Sequence, residues 1–399
     1  MRQDTRSVAW VLVALALAAA PASLASGLPG GAAEAQAAGN PSSAASGEPY
    51  TSAKACASCH RLIHQYWSES AHAQSATRPS YLEGLETAVA AASDKEAVRR
   101  ECVWCHAPTV LATGDYELKR PLTREGVTCD FCHTVADVDL ARGGHPFDLR
   151  PGNVKRGPLL YPKSKFHDTE YSSLHKTSSL LCAGCHEYRN AQGIAVLSTY
   201  SEWRESAWAD RGVPCQECHM PVVPGTTVPV SMKPTGHVIN LHRIIGGADA
   251  SSLSVGLDLQ IESVTWTSGA ADVQVVVKSS RVGHAAPGGF ANRALVLAVA
   301  VESASGELLH RRERTYRRQL KDAAGRELVT VADLVLHAAS EGEDTRIKPG
   351  ESRVERFTVP VPEGAKAIVA RLEYRDNSDP KAGPRTLLVS QKKRDLIPR

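Results

Sequence analysis

Apolar and polar residues alternate in several short runs along the C-terminal part of the chain, after residue 248. Alternation with a period of two puts every second side chain on one face, which is typical of β-strands with one buried face. The runs are separated by the turn-forming sequences SASGE, DAAGR and KPGES. Together these features predict an antiparallel sandwich of two sheets. The alternating apolar positions are Leu257, Leu259 and Ile261, then Val273, Val275 and Val277, then Leu295, Leu297, Val299 and Val301, and finally Phe357, Val359 and Val361.

A different pattern opens the chain. Arg2 and Arg6 precede an apolar run over residues 8–20, and small residues follow it. A run of about 13 residues is too short to cross the roughly 30 Å hydrocarbon core of a bilayer as a helix, so it predicts a secretory signal peptide over residues 1–26. Residues 27–48 are mostly Ala, Gly, Ser and Pro, which predicts a flexible linker. We therefore expect an exported protein, periplasmic or otherwise extracytoplasmic, that associates with a membrane only through partners or through an uncleaved signal.

Between these two regions, all ten cysteines fall into five copies of one motif, Cys-x-x-Cys-His. Histidine makes up 15 of the 399 residues, so finding it by chance after all five cysteine pairs has odds of roughly 10⁻⁷. The spacing is that of covalent c-type haem attachment. The copies are CASCH at 56–60, CVWCH at 102–106, CDFCH at 129–133, CAGCH at 182–186 and CQECH at 215–219.

The chemistry of one porphyrin explains this spacing. Two thiols three residues apart lie on one face of a helical turn, where both can form thioether bonds to the two vinyl groups. The histidine that follows is then the proximal ligand of the iron. We predict five covalently bound haems c. The attachment cysteines are Cys56, Cys59, Cys102, Cys105, Cys129, Cys132, Cys182, Cys185, Cys215 and Cys218, and the proximal ligands are His60, His106, His133, His186 and His219.

Three other interpretations of the cysteines explain less. A disulfide scaffold suits an exported chain but gives no reason for the invariable histidine. Structural zinc sites need four ligands each, and five cysteine pairs cannot be divided into four-cysteine sites without a remainder. A redox-active dithiol is usually a single motif in a βαβ context, which this chain does not offer.

Ten histidines lie outside the motifs and are candidates for the sixth, distal position on each iron. Methionine, the other common distal ligand, is nearly absent, so we expect mostly bis-histidine haems of low potential. His72 lies on a stretch predicted to continue the helix of the first motif, and His284 lies in a glycine-rich loop beyond the haem region. The distal candidates are His72, His167, His175, His242, His237 and His284.

Several stretches resemble the multihaem cytochrome c family that includes the tetrahaem electron carrier working beside hydroxylamine oxidoreductase. They are CASCHRLIHQYWSESAHAQSA, GVTCDFCHTV, FHDTEYSSLHKTSSLLCAGCHEYRN, TYSEWRESAWADRGVPCQECHMP and INLHRIIGG. The resemblance implies distal roles for His72, for His167 or His175, and for His242. The fifth motif exceeds the tetrahaem pattern, so the ligand map of the family does not carry over in full.

The predicted fold class is α+β. A mainly helical, loop-rich multihaem domain over residues 49–248 is followed by an all-β, immunoglobulin-like sandwich over residues 249–399, without the inter-sheet disulfide. Five arginines at positions 311–318 form a cationic run in the second domain. On an alternating strand such a run is usually a solvated face, with haem propionates or an acidic partner as the alternative targets.

The balance of 46 Lys and Arg against 43 Asp and Glu argues against a general nucleic-acid binder. Five haems in about 200 residues leave too little protein to insulate them, so we expect them to exchange electrons. The predicted function is electron transfer between redox protein partners, such as a quinol-linked membrane complex and a terminal reductase or oxidase. The alternative is an oxidoreductase of small nitrogen or sulfur compounds at one haem with an open coordination position. No catalytic residue is assigned.

We predict that the pyridine haemochrome assay returns five haems per chain, because each of the five motifs supplies both thioether cysteines. A Cys215→Ala/Cys218→Ala variant should lose one haem and leave the other four. A value of four or fewer for the unmodified protein would show that at least one motif carries no haem.

Overall fold

Short helices and two-stranded sheets build the first part of the fold, and long strands build the second. The structure is a computed structural model that describes residues 48–142, 144–234, 236–247, 249–378 and 383–396. The predicted signal peptide, and all of the predicted linker except Glu48, lie outside the described residues.

The helices of the first part are short. The longest of those described, α3, has 13 residues. Along the described ranges, no helix has both the length and the apolar character needed to cross a bilayer. The helices are α1 (Ala53–Ala57), α2 (Arg61–Ser68), α3 (Pro79–Ala91), α4 (Lys95–His106), α5 (Val110–Thr113), α6 (Cys129–Thr134), α7 (Ser173–Lys176), α8 (Leu180–His186), α9 (Thr199–Arg204), α10 (Ala207–Asp210), α11 (Cys215–His219) and α12 (Ala250–Gly256), with 3₁₀ turns at Thr123–Glu125 and Val230–Met232.

The Cys-x-x-Cys-His motifs coincide with helix turns. The second motif ends α4, the third begins α6, the fourth ends α8 and the fifth spans α11. The first motif bridges the break between the end of α1 at Ala57 and the start of α2 at Arg61. In the four helical motifs the two cysteines and the histidine lie on one to one and a half turns, the local geometry that attachment to a single porphyrin requires.

The expectation that His72 continues a helix is wrong. Helix α2 ends at Ser68, and the chain then turns. The hydroxyl of Ser70, which is 1% exposed, accepts a hydrogen bond from the backbone N–H of Ala73 at 3.1 Å and so stabilises the turn in place of a further helical bond. The carbonyl of His72 accepts from the N–H of Val127 at 3.0 Å, which holds this turn beside the third motif.

Four small sheets connect the helices of the first part. Three are antiparallel, and the pair of β3 with β4 is parallel. None exceeds four residues per strand, so these sheets fix the positions of loops and carry little core of their own. Their strands are β1 (Val135–Val138) with β2 (Phe147–Leu149), β3 (Val154–Gly157) with β4 (Asp168–Tyr171), β5 (Glu187–Arg189) with β6 (Ala195–Ser198), and β7 (Val222–Pro224) with β8 (Val238–Asn240).

The second part consists of two antiparallel sheets and one helix, α13 (Val331–His337). One sheet has the strand order β14-β10-β9, and the other has the order β13-β12-β11-β15-β16. The chain is therefore α+β with a β-rich C-terminal region, as predicted. The strands are β9 (Leu257–Thr267), β10 (Ala270–Ser279), β11 (Arg293–Ser303), β12 (Leu308–Lys321), β13 (Ser340–Asp344), β14 (Ser352–Pro360), β15 (Ala365–Asp376) and β16 (Arg385–Asp395).

The two sheets share one apolar core, and the predicted alternation supplies it. Leu259 of β9, Val275 of β10 and Leu297 of β11 are each 2% exposed or less and belong to the same cluster. Most of the positions identified from the period of two lie in this core. The central strand β11 departs from the pattern, because residues 294–302 are buried on both faces.

Ion pairs on the outer face of the larger sheet account for this double burial and for the arginine run. Arg311 pairs with Glu313 and Glu373, and Arg375 pairs with the same two carboxylates. Arg311 and Glu373 lie on the strands that flank β11, opposite its residues 300 and 296. Other arginines of the run also pair with glutamates: Arg314 with Glu355, Arg317 with Glu327 and Arg318 with Glu341. Four of the five arginines of the run therefore form ion pairs within the β-rich region.

A second apolar cluster joins the β-rich region to the haem-motif region. Val196 of β6 packs with Leu320 of β12 and with Leu334 and Ala338 at the end of α13, and all four are fully buried. The side chain of Asn190 donates to the carbonyl of Ala338 at 2.8 Å. Contacts of this kind make the two regions mutually supporting.

We predict that Leu334→Ala lowers the free energy of unfolding by about 2–5 kcal/mol, because it leaves a cavity in a fully buried cluster. The denaturant concentration at the unfolding midpoint should decrease by the same amount for two signals, the far-ultraviolet circular dichroism of the strands and the haem absorbance. The reason is that the cluster contains residues of both regions. Val329→Ala, at a position 59% exposed, is the control. A shift confined to one of the two signals would contradict the coupling.

Candidate haem sites

Four of the proximal histidines are oriented by the same hydrogen bond. In each, the Nδ1–H of the imidazole donates to a backbone carbonyl of a segment distant in sequence. Because Nδ1 carries the proton, Nε2 keeps a free lone pair, which is the form in which imidazole binds a metal. The pairs are His60 with Thr227, His106 with Ser75, His133 with Arg156 and His219 with Ile245.

Four proximal histidines also face the ring of a second histidine. The second rings come from turns and loops outside the motifs, and all four are among the distal candidates predicted from the sequence. The pairs, with the distances between ring centres, are His60 with His167 (6.2 Å), His186 with His72 (6.3 Å), His133 with His242 (6.3 Å) and His219 with His284 (6.3 Å).

This spacing is that of two imidazoles on opposite sides of one metal ion. An imidazole nitrogen binds a metal at about 2.0 Å, and the ring centre lies roughly 1.1 Å behind that nitrogen. Two rings bound to opposite sides of one iron therefore have centres about 6.2 Å apart. The observed 6.2 and 6.3 Å fit bis-histidine ligation at four of the five motifs.

Three of the second histidines make the same hydrogen bond as the proximal ones. The Nδ1–H donates to the carbonyl of a residue one or two positions away in the chain. Nε2 is left unprotonated, as an iron ligand requires. The pairs are His167 with Asp168 at 3.0 Å, His242 with Asn240 at 2.7 Å, and His284 with Ala285 at 2.9 Å.

His175 competes with His242 for the third motif, but its nitrogens are engaged. Its ring centre lies 5.5 Å from that of His133. Its Nδ1 contacts the hydroxyl of Ser172 at 2.9 Å, and its Nε2–H donates to the carbonyl of Cys132 at 2.7 Å. The geometry therefore favours His242 as the partner of His133.

His237 is placed differently from the other distal candidates. It is exposed, and its backbone carbonyl accepts a hydrogen bond from Gly225 beside strands β7 and β8. Within the described part of the chain, no ring contact joins His237 to another histidine. The structure thus brings five of the six distal candidates to a proximal histidine, and His237 is the exception.

The second motif lacks such a partner. Its proximal His106 stacks on Tyr81 with ring centres 3.8 Å apart and an angle of 8° between the planes. Among the residues described, no second histidine ring pairs with His106. Burial raises the pKa of Tyr81 above its ordinary range, so the phenol is neutral. The second motif is therefore the candidate for an iron with an open position.

Burial keeps imidazoles of these sites neutral, both the paired ones and His106. It lowers the pKa of His72, His106 and His242 to about 4 and that of His186 to about 3, because the charged form loses its hydration. At neutral pH these rings are unprotonated, which is the state that a metal ligand needs.

The five motifs are contiguous in space. The thiol of Cys56 in the first motif contacts that of Cys129 in the third, and Cys105 in the second motif contacts Cys185 in the fourth. Cys182 of the fourth motif contacts Cys215 of the fifth. Trp104, Cys132 and Cys185 join the second, third and fourth motifs in one cluster around Phe131 and Phe147. Each motif therefore touches at least one other, and the fourth motif touches three.

Variable residues inside the motifs hold these neighbours together. Asp130 of CDFCH is 2% exposed, forms an ion pair with Lys155 and accepts a hydrogen bond from the N–H of Thr51 at 2.6 Å. Gln216 of CQECH donates to the carbonyl of Ser178 at 2.8 Å, just before the fourth motif. Sequence analysis missed both, because their partners are distant in the chain. A charged residue inside a motif that is otherwise apolar was the available signal for Asp130.

A buried ion pair positions the loop that carries His284. Glu202 of α9 accepts a hydrogen bond from the N–H of Ala285 at 3.1 Å and pairs with Arg346 at 2.7 Å. Arg346 is 7% exposed and also pairs with Asp344. The β-rich region thus supplies both a candidate distal ligand and the cation that anchors its loop, a relationship with no signal in the sequence.

Comparisons of the sequence with known proteins find similarity to cytochromes c. Residues 55–134 match the family described as cytochrome c554 and c-prime. Cytochrome c-554 of Nitrosomonas europaea is 25% identical over 145 residues, which cover 35% of this chain and 57% of that protein. The chain thus spans little more than half the length of this curated relative.

The fold has a solved counterpart in the penta-heme cytochrome c552 of Thermochromatium tepidum. Its structure superimposes with a TM-score of 0.69 at 22% sequence identity and covers 87% of this chain and 99% of that one. At this identity the likeness shows the fold. The likeness extends through both the haem-motif region and the β-rich region, because neither region alone makes up 87% of the chain.

We predict that His242→Ala converts one haem of the oxidised protein to the high-spin state. The substitution removes the imidazole that faces His133, and with it the free Nε2 that would be the sixth ligand of the iron. His175→Ala should leave the ligation unchanged, since its Nε2 bonds to a backbone carbonyl. His237→Ala is the control at an exposed histidine. The assignment would be wrong if His175→Ala, and not His242→Ala, produced the high-spin absorbance band.

Proposed function

The chain belongs to the multihaem cytochromes c, and from this premise we propose that it is an exported pentahaem cytochrome that transfers electrons between redox protein partners. The observation that carries the proposal is the set of four imidazole pairs at 6.2–6.3 Å. A pair of strong axial ligands closes an iron to substrates and leaves electron transfer as its chemistry. Bound haem c supplies a one-electron ferric/ferrous couple at each such site.

The contacts among motifs support transfer along the whole set. The first motif touches the third, the third packs with the fourth, and the fourth also touches the second and the fifth. An electron that enters at the haem of any motif can therefore pass to the haem of a motif in contact with it. The fourth motif is the proposed junction of this network.

The protein's own side chains influence the reduction potential of each ferric/ferrous couple. Histidine at both axial positions lacks the potential-raising thioether of methionine and favours low potentials. The Nδ1–H bonds to backbone carbonyls increase the basicity of the ligand nitrogens and fix the planes of the rings. The buried Asp130–Lys155 pair, between the first and third motifs, adds a fixed dipole at the point where those motifs meet.

A second candidate function is favoured by one observation, the stacking of His106 on Tyr81 without a described histidine partner. An iron held by His106 alone would bind a small ligand in its open position. This is the alternative of an oxidoreductase acting on small nitrogen or sulfur compounds. We rank it second, because the four other sites are paired.

The remaining assignments complete the proposal. Export is proposed to follow from a signal peptide over residues 1–26 and a linker over 27–48, with a haem domain over 49–248 and an immunoglobulin-like sandwich over 249–399. The two antiparallel sheets around one core support the sandwich. Its proposed role is structural, since it holds the loop of His284 through Arg346.

Low-temperature electron paramagnetic resonance of the oxidised protein tests the ligation. We expect low-spin ferric signals from four haems per chain and a high-spin signal from one, because four proximal histidines have an imidazole partner and His106 stacks on Tyr81. High-spin signals from two or more haems would contradict the four pairs. Five low-spin haems would remove the open position and with it the second candidate function.

Turnover separates the two candidate functions. The chemically reduced protein, freed of excess reductant, is mixed with nitrite or hydroxylamine and its oxidation is followed by absorbance. In this mixture, which holds no further reductant, a carrier releases at most the one electron stored on each haem and then stops. A second mixture, with reductant supplied continuously and a control without protein, measures consumption beyond that amount. Sustained consumption of either compound beyond that amount would make the chain an enzyme.

A further inference from the structure

Two loops beside the first haem site expose large apolar side chains. In the loop between β3 and β4, Leu160 is 59% exposed, Tyr161 is 89% exposed and Phe166 is 63% exposed. In and around the segment between β7 and β8, Val222 is 64% exposed, Val230 is 75% exposed and Val238 is 59% exposed. We call these six residues the apolar rim. Isolated exposed apolar residues are ordinary, but six on two short segments mark a surface that meets something else.

The two loops converge on one pair of histidines. The carbonyl of Thr227, in the second loop, accepts the Nδ1–H of His60 at 2.7 Å. His167 directly follows Phe166 of the first loop, and its ring centre lies 6.2 Å from that of His60. The apolar rim therefore flanks the His60–His167 site from two sides.

The backbone conformation of Tyr161 supports the view that the apolar rim contacts another molecule. Its φ of 51° is in the left-handed region, which side chains other than Gly, Asn and Asp seldom occupy. The ring nevertheless gains no burial from this conformation, since it is 89% exposed. An exposed aromatic ring on a backbone of this conformation is a feature that contact with another molecule would stabilise.

The charge around the apolar rim is positive. Lys163 and Lys165, in the first loop, are exposed, and so is Lys233, which follows the 3₁₀ turn of the second loop. The sequence of the first loop, residues 158–167, contains no acidic residue, and two carboxylates of the adjoining strand β4 are engaged internally. Glu170 pairs with Arg156 at 3.1 Å, and Asp168 accepts from the side-chain amide of Asn153 at 3.0 Å.

We propose that the apolar rim and its three lysines form the docking surface for an acidic redox protein, which exchanges electrons with the chain at the His60–His167 site. The inference rests on the proposed electron-transfer function. Lysines steer an acidic partner over long range, and the apolar centre then excludes water between the two redox centres. In the exchange one electron leaves the reduced centre of one protein and enters the oxidised centre of the other, and no covalent bond forms or breaks. Such transient redox interfaces are small, below about 1,200 Å², which suits a rim on two loops.

The test uses the full holoprotein and a plant-type [2Fe–2S] ferredoxin, a small acidic redox protein, as the probe. Reduced ferredoxin is mixed with the oxidised chain in a stopped-flow instrument, and haem reduction is followed at several salt concentrations. We expect the second-order rate constant to fall steeply as salt rises. Lys163→Glu/Lys165→Glu/Lys233→Glu should lower it about tenfold or more at low salt, because the sign of the steering charge is reversed.

Two further variants separate charge from apolar contact. Tyr161→Asn/Phe166→Ser should lower the rate at all salt concentrations, and Asn tolerates the backbone conformation of Tyr161. The matched control is Lys278→Glu/Lys348→Glu/Lys366→Glu, which makes the same charge change at exposed lysines of the β-rich region. The control should leave most of the rate intact. Equal losses in the control and in the Lys163, Lys165 and Lys233 variant would overturn the proposal.

Reduction by dithionite separates this proposal from the proposed function. Dithionite is small and needs no docking surface, so every variant with a full haem count should be reduced completely. Because dithionite is an anion, its rates are compared at high salt, where the effect of the lysine substitutions is screened. Failure of the unmodified protein to accept electrons from dithionite would refute electron transfer itself. Normal dithionite reduction with a ferredoxin rate that neither salt nor the rim variants change would refute the docking surface alone.

Other occupants of the apolar rim, including the haem of the His60–His167 site, give distinct results. Loss of one haem from Tyr161→Asn/Phe166→Ser in the pyridine haemochrome assay would assign the rim to that haem and overturn the proposal. Co-sedimentation with vesicles of anionic lipid that is lost in Tyr161→Asn/Phe166→Ser would assign the rim to a membrane. A concentration-dependent dimer in sedimentation equilibrium, lost in the same variant, would assign it to a second copy of the chain. Either result, with no effect of the variants on the ferredoxin rate, overturns the proposal.

Discussion

Four of the five candidate haem sites depend on one kind of hydrogen bond, from the Nδ1–H of the proximal imidazole to a backbone carbonyl. The bond selects the tautomer with a free Nε2 and fixes the plane of the ring. For the proximal histidines the carbonyl lies far away in sequence, as for His60 with Thr227 and His219 with Ile245. Ligand orientation is therefore a property of the folded chain, while cysteine spacing is a property of a single helical turn.

This constraint explains the division of the fold. The haem-motif region has short helices, strands of three or four residues and small apolar clusters. Short elements are sufficient there, because each haem is attached by a motif of five consecutive residues. The large side-chain core lies between the two sheets of the β-rich region. Val196, Leu320 and Leu334 join the two regions, and Glu202 with Arg346 connects that core to the loop of His284.

Local patterns predicted the features that depend on neighbouring residues. The five motifs and the alternating strands follow from spacing along the chain, and both were identified from the sequence. The end of α2 at Ser68 was missed, because the turn that follows depends on the hydroxyl of Ser70 and on the contact with Val127. His175 and His242 were both named as distal candidates from the sequence. That His175 is not the partner of His133 could not be predicted, because it depends on the contact of its Nε2 with the carbonyl of Cys132. The role of Asp130 was missed because its partner Lys155 is distant in the chain.

The central claim is that paired imidazoles hold iron at four motifs. A crystal structure of the mature holoprotein, with an anomalous-difference map measured at the iron absorption edge, tests it most directly. The account predicts five iron peaks, four of which lie between the rings of His60 and His167, His186 and His72, His133 and His242, and His219 and His284. Iron bound on one side only at any of these four pairs, or a motif without an iron peak, would contradict it.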